Sequence, residues 1–337
     1  RRLAHQQPPR PFVADAEQFR LRWEAHPALR LLRLYTGCSP EELAQLARKM
    51  HASSIPEETY RLPESGFKTA WGLLLFPLHA LADKSWLWTR EKTVDWQVEV
   101  TDPDHLALNW ERVFDALPGS KRLAPRDSGP IAGHPCAGSP YNSVRLSALL
   151  RLAVLAPLMT LALAALRRSS GLDVRQAYRH AVTTYTVFSG FFARFPCRRF
   201  VTYDDESNPP ARAVAFKRRG GEELTVVQNG ERNAHPHIAF GLMDRYLVFG
   251  PAYVRILRDI GMLARFDSVG SVVLDGRYQT LQAAIAAGGP PRDVVFVDQG
   301  VFPHNGLCER SGRSLETIVE RLGELKARHP ELTVAYQ

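Results

Sequence analysis

The chain has 337 residues, 45% hydrophobic, 23% charged and 9% aromatic, with a formal charge of +8. That length allows two ordinary domains and that composition builds a real core, which excludes a disordered, collagen-like or disulfide-scaffold protein. Its four cysteines, Cys38, Cys136, Cys197 and Cys308, form no Cys-x-x-Cys pair, so neither a zinc ribbon nor a thioredoxin-like motif is expected and a reducing compartment fits.

All six tryptophans fall within the first 110 residues, which marks residues 1–130 as a distinct, helix-rich N-terminal region. Ser39-Pro40-Glu41-Glu42 predicts a capped helix through Met50, with glutamates in its first turn. Residues 68–88 form an apolar block, and 93–101 alternate like a strand. Residues 117–142, rich in Gly, Pro, Ser and Arg, are expected to be a linker. The chain starts Arg1-Arg2 without methionine and stops just past a predicted strand at 332–336, so a piece of a longer protein is expected.

The charge is concentrated. Residues 151–200 hold eight arginines (151, 167, 168, 175, 179, 194, 198, 199) against a single acid, Asp173. Arginine's planar fork suits phosphate oxygens. Within this stretch Leu152 to Leu166 is wholly apolar apart from Thr160, but shorter than the roughly 20 residues that span a bilayer, and Pro157 interrupts it. Three readings stay open: a buried or partner-facing helix, an interfacial helix held by Arg151–Arg199 to an anionic membrane surface, and a span. Nucleic acid is not expected as a partner, because no helix-turn-helix, zinc-finger or aromatic-interleaved basic motif accompanies the charge.

From residue 170 the pattern is regular. Helices are predicted at 173–193, 210–219, 251–262, 276–287 and 314–328, and strands at 199–203, 224–228, 245–249, 266–269, 293–298 and 332–336. Such alternation predicts an α/β fold with Rossmann-type parallel sheets covered on both faces. Gly288-Gly289-Pro290-Pro291 is a hinge candidate, giving one Rossmann-like domain over 131–287 and the start of a second at 292–337. Ligands bind such sheets at the carboxyl ends of the strands, where Asp204, Asp205, Gln228–Arg232, Gly270 and Ser271 all fall.

Those residues carry several readings. Asp204 and Asp205 are candidates for a general base, since two adjacent carboxylates raise one another's pKa; a solvated acidic turn or a metal–diphosphate clamp with Glu206 are the alternatives. Gln228-Asn229-Gly230 is expected at a strand-to-helix junction, where free N–H groups favour an anion, with Glu231 and Arg232 as neighbours. Gly270-Ser271 is a ligand-facing turn or a bare one, and His304 either approaches the cleft or is exposed. His235 and His237 have no companion at ligand spacing, so no metal is expected. Gly-x-Gly-x-x-Gly after the first clear strand, the P-loop and Gly-x-Ser-x-Gly are all missing, which disfavours dinucleotide oxidoreductases, P-loop enzymes and α/β-hydrolases.

TYDDES at 202–207, VVQNGE at 226–231, DRYLVFG at 244–250 and VGS at 269–271 follow one another in the order seen in bacterial surface-carbohydrate transferases. Residues 195–337 thus resemble the GT-B glycosyltransferases of capsule and O-antigen assembly and the related polyglycerol-phosphate transferases. Asn229 stands where many of those relatives have His, and an amide cannot act as a base. The resemblance implies a metal-independent glycosyltransferase with no cofactor, taking a nucleotide-sugar donor and a surface polysaccharide or lipid-linked glycan acceptor. It implies that 131–287 is the acceptor-side domain, working with the N-terminal region, and that the domain from 292 holds the donor; the Arg-rich 151–200 segment would then keep the enzyme peripheral to the cytoplasmic face of the cell membrane. A CDP-alcohol polyol-phosphate transferase, a nucleotide-sugar epimerase and a non-catalytic glycan-assembly or export protein are the alternatives.

Overall fold

A computed structural model describes residues 11–54, 66–82, 86–100, 111–125, 133–203, 209–228, 238–270 and 320–330, together with 131, 232, 234–236, 294–296 and 334–336. The chain divides into two units, one of Arg1–Pro56 with Leu62–Val273, the other of Glu57–Arg61 with Leu274–Gln337.

The first unit begins with helices α1 (Pro11–Trp23), α2 (Pro27–Thr36) and α3 (Pro40–Ala52). Ser39 caps α3 as expected: its hydroxyl accepts from the Glu42 N–H at 3.2 Å, while the Glu42 carboxylate accepts from the Ser39 N–H at 2.6 Å. Helix α4 (Gly66–Ala82) accounts for the apolar block. Strand β1 (Val94–Val100), short helix α5 (Glu111–Ala116) and strand β2 (Lys121–Pro125) follow. The expected linker at 117–142 therefore contains a strand. Lys-Arg-Leu-Ala-Pro has no apolar alternation to betray it, because Arg122 turns into the protein.

Helix α6 (Leu146–Ser170) extends the 15-residue apolar stretch to 25 residues, with Pro157 inside it. Helix α7 (Arg175–Arg194) leads to β3 (Cys197–Thr202), then α8 (Pro210–Arg218), β4 (Glu223–Val227), β5 (Leu242–Val248), α9 (Pro251–Asp259) and β6 (Leu263–Ser268). In the second unit β7 (Val294–Phe296) pairs parallel with β8 (Val334–Tyr336), and residues 320–328 between them are helical. The helix expected at 276–287 lies outside the described residues.

The six strands form one all-parallel sheet in the order β2-β1-β3-β4-β5-β6. β1 and β2, which precede residue 130, thus share a sheet with β3–β6. Chain progress runs one way from β1 to β2, then reverses from β3 to β6. Right-handed crossovers demand that the covering helices swap faces at such a reversal. They do: α5, through Phe114, packs with Val98, Val100, Leu123 and Val201 on one face. Helices α7, α8 and α9 pack through Phe191, Phe192, Val214, Phe216 and Leu257 against Phe200, Leu224, Val226 and Tyr246 on the other.

Covering on both faces is not complete. Among the described residues no helix covers the α5-side face of β5 and β6, which carries Arg245, Arg265 and Asp267. Arg245 Nε donates to Asp267 at 2.5 Å, and Arg265 stays 65% exposed. Charged side chains keep that face wet.

The N-terminal helices are locked to the sheet. Gln45 Nε2 on α3 donates to the carbonyls of Gly241 at 3.1 Å and Gly261 at 2.7 Å, and Lys49 Nζ to that of Ala239 at 3.1 Å. Tyr178 on α7 donates to the Ala28 carbonyl at 2.9 Å, and the Tyr35 and Thr186 hydroxyls lie 2.6 Å apart.

Candidate functional site at the strand switch

In a doubly wound sheet the ligand crevice lies outside the carboxyl ends of the two strands between which the winding reverses. Here those are β1 and β3, ending at Val100 and Thr202. Helices leave to opposite faces on either side of this point, so among the described residues no crossover helix closes the gap above it.

The floor of this crevice is polar and buried. Glu99, the penultimate residue of β1, is 2% exposed, Thr202 at the end of β3 is 0% and Arg212 in the first turn of α8 is 1%. The Glu99 carboxylate accepts from Arg212 Nη1 at 2.9 Å and from the Thr202 hydroxyl. The guanidinium also lies 5.5 Å over the Phe188 ring of α7. One carboxylate thereby ties β1, β3 and α8 together and fixes both flanks of the segment 204–208. Being wholly enclosed and doubly bonded, Glu99 is a positioning group.

One pleat deeper on the same face sits Gln97, 0% exposed, opposite Arg122 on β2 and Phe200 on β3. Neither atom of its amide has a hydrogen-bond partner, nor has Arg122 Nη1. Arg122 Nη2 donates to the Lys92 carbonyl at 2.9 Å, and its guanidinium lies 5.4 Å over Phe195. Burial pushes the Arg122 guanidinium down from its ordinary range and the Cys197 thiol up to about 12. Burial likewise raises the phenol of Tyr203, which follows Thr202 on the opposite face.

Asp204, Asp205, Asn229, Gly230, Glu231, Ser271 and His304 lie outside the described residues. In the sequence, all but His304 follow within a few residues of the ends of β3, β4 and β6. Gln228 does not aim its amide oxygen at a ligand. It is 1% exposed, and that oxygen accepts from the Phe249 N–H at 2.8 Å, stapling the end of β4 to the end of β5. The strand-to-helix junction expected at 228–230 is also corrected. The described residues between β4 and β5 form turns and no helix, so no helix dipole adds to an anion site there. Gly270, at φ +79°, occupies the left-handed region after β6, where glycine alone is unstrained. Arg232 and His235 are half-buried.

Asp244, which opens the DRYLVFG motif, lies away from the crevice. Near the amino end of β5 it accepts from the Leu224 N–H at 2.7 Å and pairs with Lys217 at 2.8 Å. Its work is to register β4, β5 and α8. No group of three or more His, Cys, Asp and Glu side chains suited to a metal occurs among the described residues.

Sequence reasoning missed Glu99, Arg212, Gln97 and Arg122. The signal for the first was present: β1 alternates apolar and polar residues, yet a parallel sheet buries both faces, so Gln97 and Glu99 needed buried partners.

The fold and this crevice define an α/β protein with a doubly wound, Rossmann-like parallel sheet. A scan against protein-family models finds no match, and a search of the curated proteins finds no relative.

Proposed function

We propose that the chain is the acceptor-side domain, with the opening of the donor domain, of a metal-independent GT-B glycosyltransferase acting on a surface polysaccharide or lipid-linked glycan. The observation that carries this reading is the switch point itself. It falls at Thr202, two residues before Asp204, and Glu99 ties Thr202 to Arg212, the residues that flank Asp204 and Asp205 in the chain. The parallel β7–β8 pair with its intervening helix suits the start of a second Rossmann-type unit, to which we assign the donor nucleotide.

In this mechanism one carboxylate of Asp204 or Asp205 takes the proton from an acceptor hydroxyl. The freed oxygen attacks the anomeric carbon of the donor sugar as the bond from that carbon to the diphosphate oxygen breaks. The nucleoside diphosphate leaves with the electron pair. Positioning of the two substrates supplies much of the rate.

The test is release of nucleoside diphosphate from a panel of UDP-, GDP-, ADP- and dTDP-activated sugars in the presence of glycan-bearing membranes. Turnover by the native protein that falls at least a hundredfold in Asp204→Asn/Asp205→Asn supports the reading. Turnover of a CDP-alcohol alone moves it to polyol-phosphate transfer. Binding of glycan without any turnover leaves a non-catalytic assembly protein.

A further inference from the structure

Helix α6 has two apolar faces with different fates. Leu149, Leu152, Ala156, Met159, Leu163 and Leu166 are buried in the core. Leu146, Leu150, Val154, Leu158 and Leu161 recur every three or four residues on the other side and are exposed, Val154 at 72% and Leu161 at 70%. Helices α2 and α4 pack alongside α6 and add exposed Leu34, Leu75 and Leu78. Leu34, Leu150, Arg151, Val154 and Leu155 line a shallow apolar groove between α2 and α6.

Charge around this face is dominated by one sign; the acid that adjoins it, Asp173, lies 3.7 Å from Arg167 and is held more closely by Arg175 at 2.5 Å. The sequences of α2, α4 and 145–172 contain no Asp or Glu, and they carry Arg30, Arg33, Lys68, Arg145, Arg151, Arg167 and Arg168. Arg30, Arg33, Arg151, Arg167 and Arg168 are exposed, although Arg151 also donates to the Leu34 carbonyl at the groove. Four arginines further along have partners within the chain: Arg175 on Asp173 at 2.5 Å, Arg194 on the Asn142 carbonyl at 3.0 Å, Arg198 on Glu222 at 2.7 Å at the surface, and Arg199 over the Trp96 ring at 4.9 Å.

We propose that α6, with α2 and α4 beside it, lies in the plane of an anionic phospholipid bilayer, its exposed leucines among the acyl chains and its arginines on the lipid phosphates. Such a helix is held by buried apolar area and by attraction to anionic headgroups together. A second copy of this chain is a poorer occupant. A two-fold contact sets the same patch against itself, and the acid that borders this patch, Asp173, is already held by Arg175 and Arg167, which leaves the other arginines facing arginines. Crossing the bilayer is disfavoured although α6 is long enough, at 25 residues that include an 18-residue stretch of mean hydropathy 2.1. A crossing would strip its buried face from α2, α4 and the core.

The test is co-sedimentation with phosphatidylcholine vesicles and with equimolar phosphatidylcholine/phosphatidylglycerol vesicles, without donor or acceptor, so its result is independent of any transferase activity. Binding to the anionic vesicles, weakened by salt and at least tenfold stronger than to the neutral ones, is expected. Val154→Asn/Leu158→Asn/Leu161→Asn should abolish it while leaving circular dichroism and Tm unchanged, because these side chains are already exposed. Arg167→Gln/Arg168→Gln should weaken it by about tenfold or more on anionic vesicles only, given about 1 kcal/mol per cation near the surface. A Leu161→Trp variant should shift its emission to the blue on binding. The proposal is overturned by no binding to either vesicle, by full binding of the triple Asn variant, or by a solution dimer that the triple variant dissociates.

Discussion

Glu99 on β1 and Arg212 on α8 form an ion pair of 2.9 Å with both side chains out of water, one 2% and the other 1% exposed. Removing one charge strands the other. Glu99→Gln should therefore cost about 3–5 kcal/mol, whereas Glu99→Met combined with Arg212→Leu should restore most of that loss. Urea unfolding midpoints of the three proteins decide it. A single variant no worse than the double would mean that the pair does not hold the crevice floor.

Gln97 presents the opposite case. A fully buried amide with neither atom bonded is a standing cost, so Gln97→Met should be neutral or raise stability by about 1 kcal/mol. Thermal unfolding of the native protein and the variant is the readout. An equal or higher Tm makes the amide a structural cost, and a fall of several degrees means that it is bonded in the folded protein.

Gly190 lets α7 lie directly against the backbone at Ser143. A methyl group there would stand 1.8 Å from the Ser143 carbonyl oxygen and 2.7 Å from its carbon. Glycine in a helix costs about 1 kcal/mol against alanine, so an uncrowded Gly190→Ala would be stabilising. Crowding should win instead, with a net loss of about 3 kcal/mol or more, because neither partner is a side chain that can swing away. The sign of the Tm change is the readout.

Glu17 on α1 accepts from Arg20 at 2.6 Å and from Arg48 on α3 at 2.6 Å. The Arg20 hydrogen bond chiefly holds its carboxyl at about 2, against an ordinary 4.5. The folded value lies below the unfolded one, so the unfolded chain takes up the proton first as pH falls. The pair's contribution is fully present above about pH 5 and is lost on descending toward pH 2. Partial exposure keeps it small. Glu17→Gln should lower Tm near neutrality slightly and flatten its acid slope across that window, as scanning calorimetry at a series of pH values will show.

Much of the fold was legible because periodicity and punctuation agree. Ser39 to Glu42 announces α3, Gly250-Pro251 announces α9, and the βα rhythm after residue 170 gives parallel strands. β2 was hidden because its inward residue is arginine, and the central place of β1 was hidden because strand order is decided by contacts across some hundred residues. The carboxyl-edge location of Gln228 and Gly270 was readable from strand ends. What each does there was not: whether Gln228 faces a ligand or Phe249 depends on a neighbouring strand that periodicity does not identify.

The amide of Gln45 reaches the carbonyl of Gly261, 216 residues further along the chain. At ribosomal speeds of about 5–20 residues per second, that partner is made roughly 10–40 s after α3. Until then α3 lacks the carbonyls that its Gln45 and Lys49 bind, and the nascent chain carries that unsatisfied surface. Folding of this unit is thus a late, long-range closure of high contact order, slow by topology. Expression of residues 1–130 alone should yield an aggregating product, and premature termination before residue 261 should leave a chain that depends on holding chaperones for its solubility.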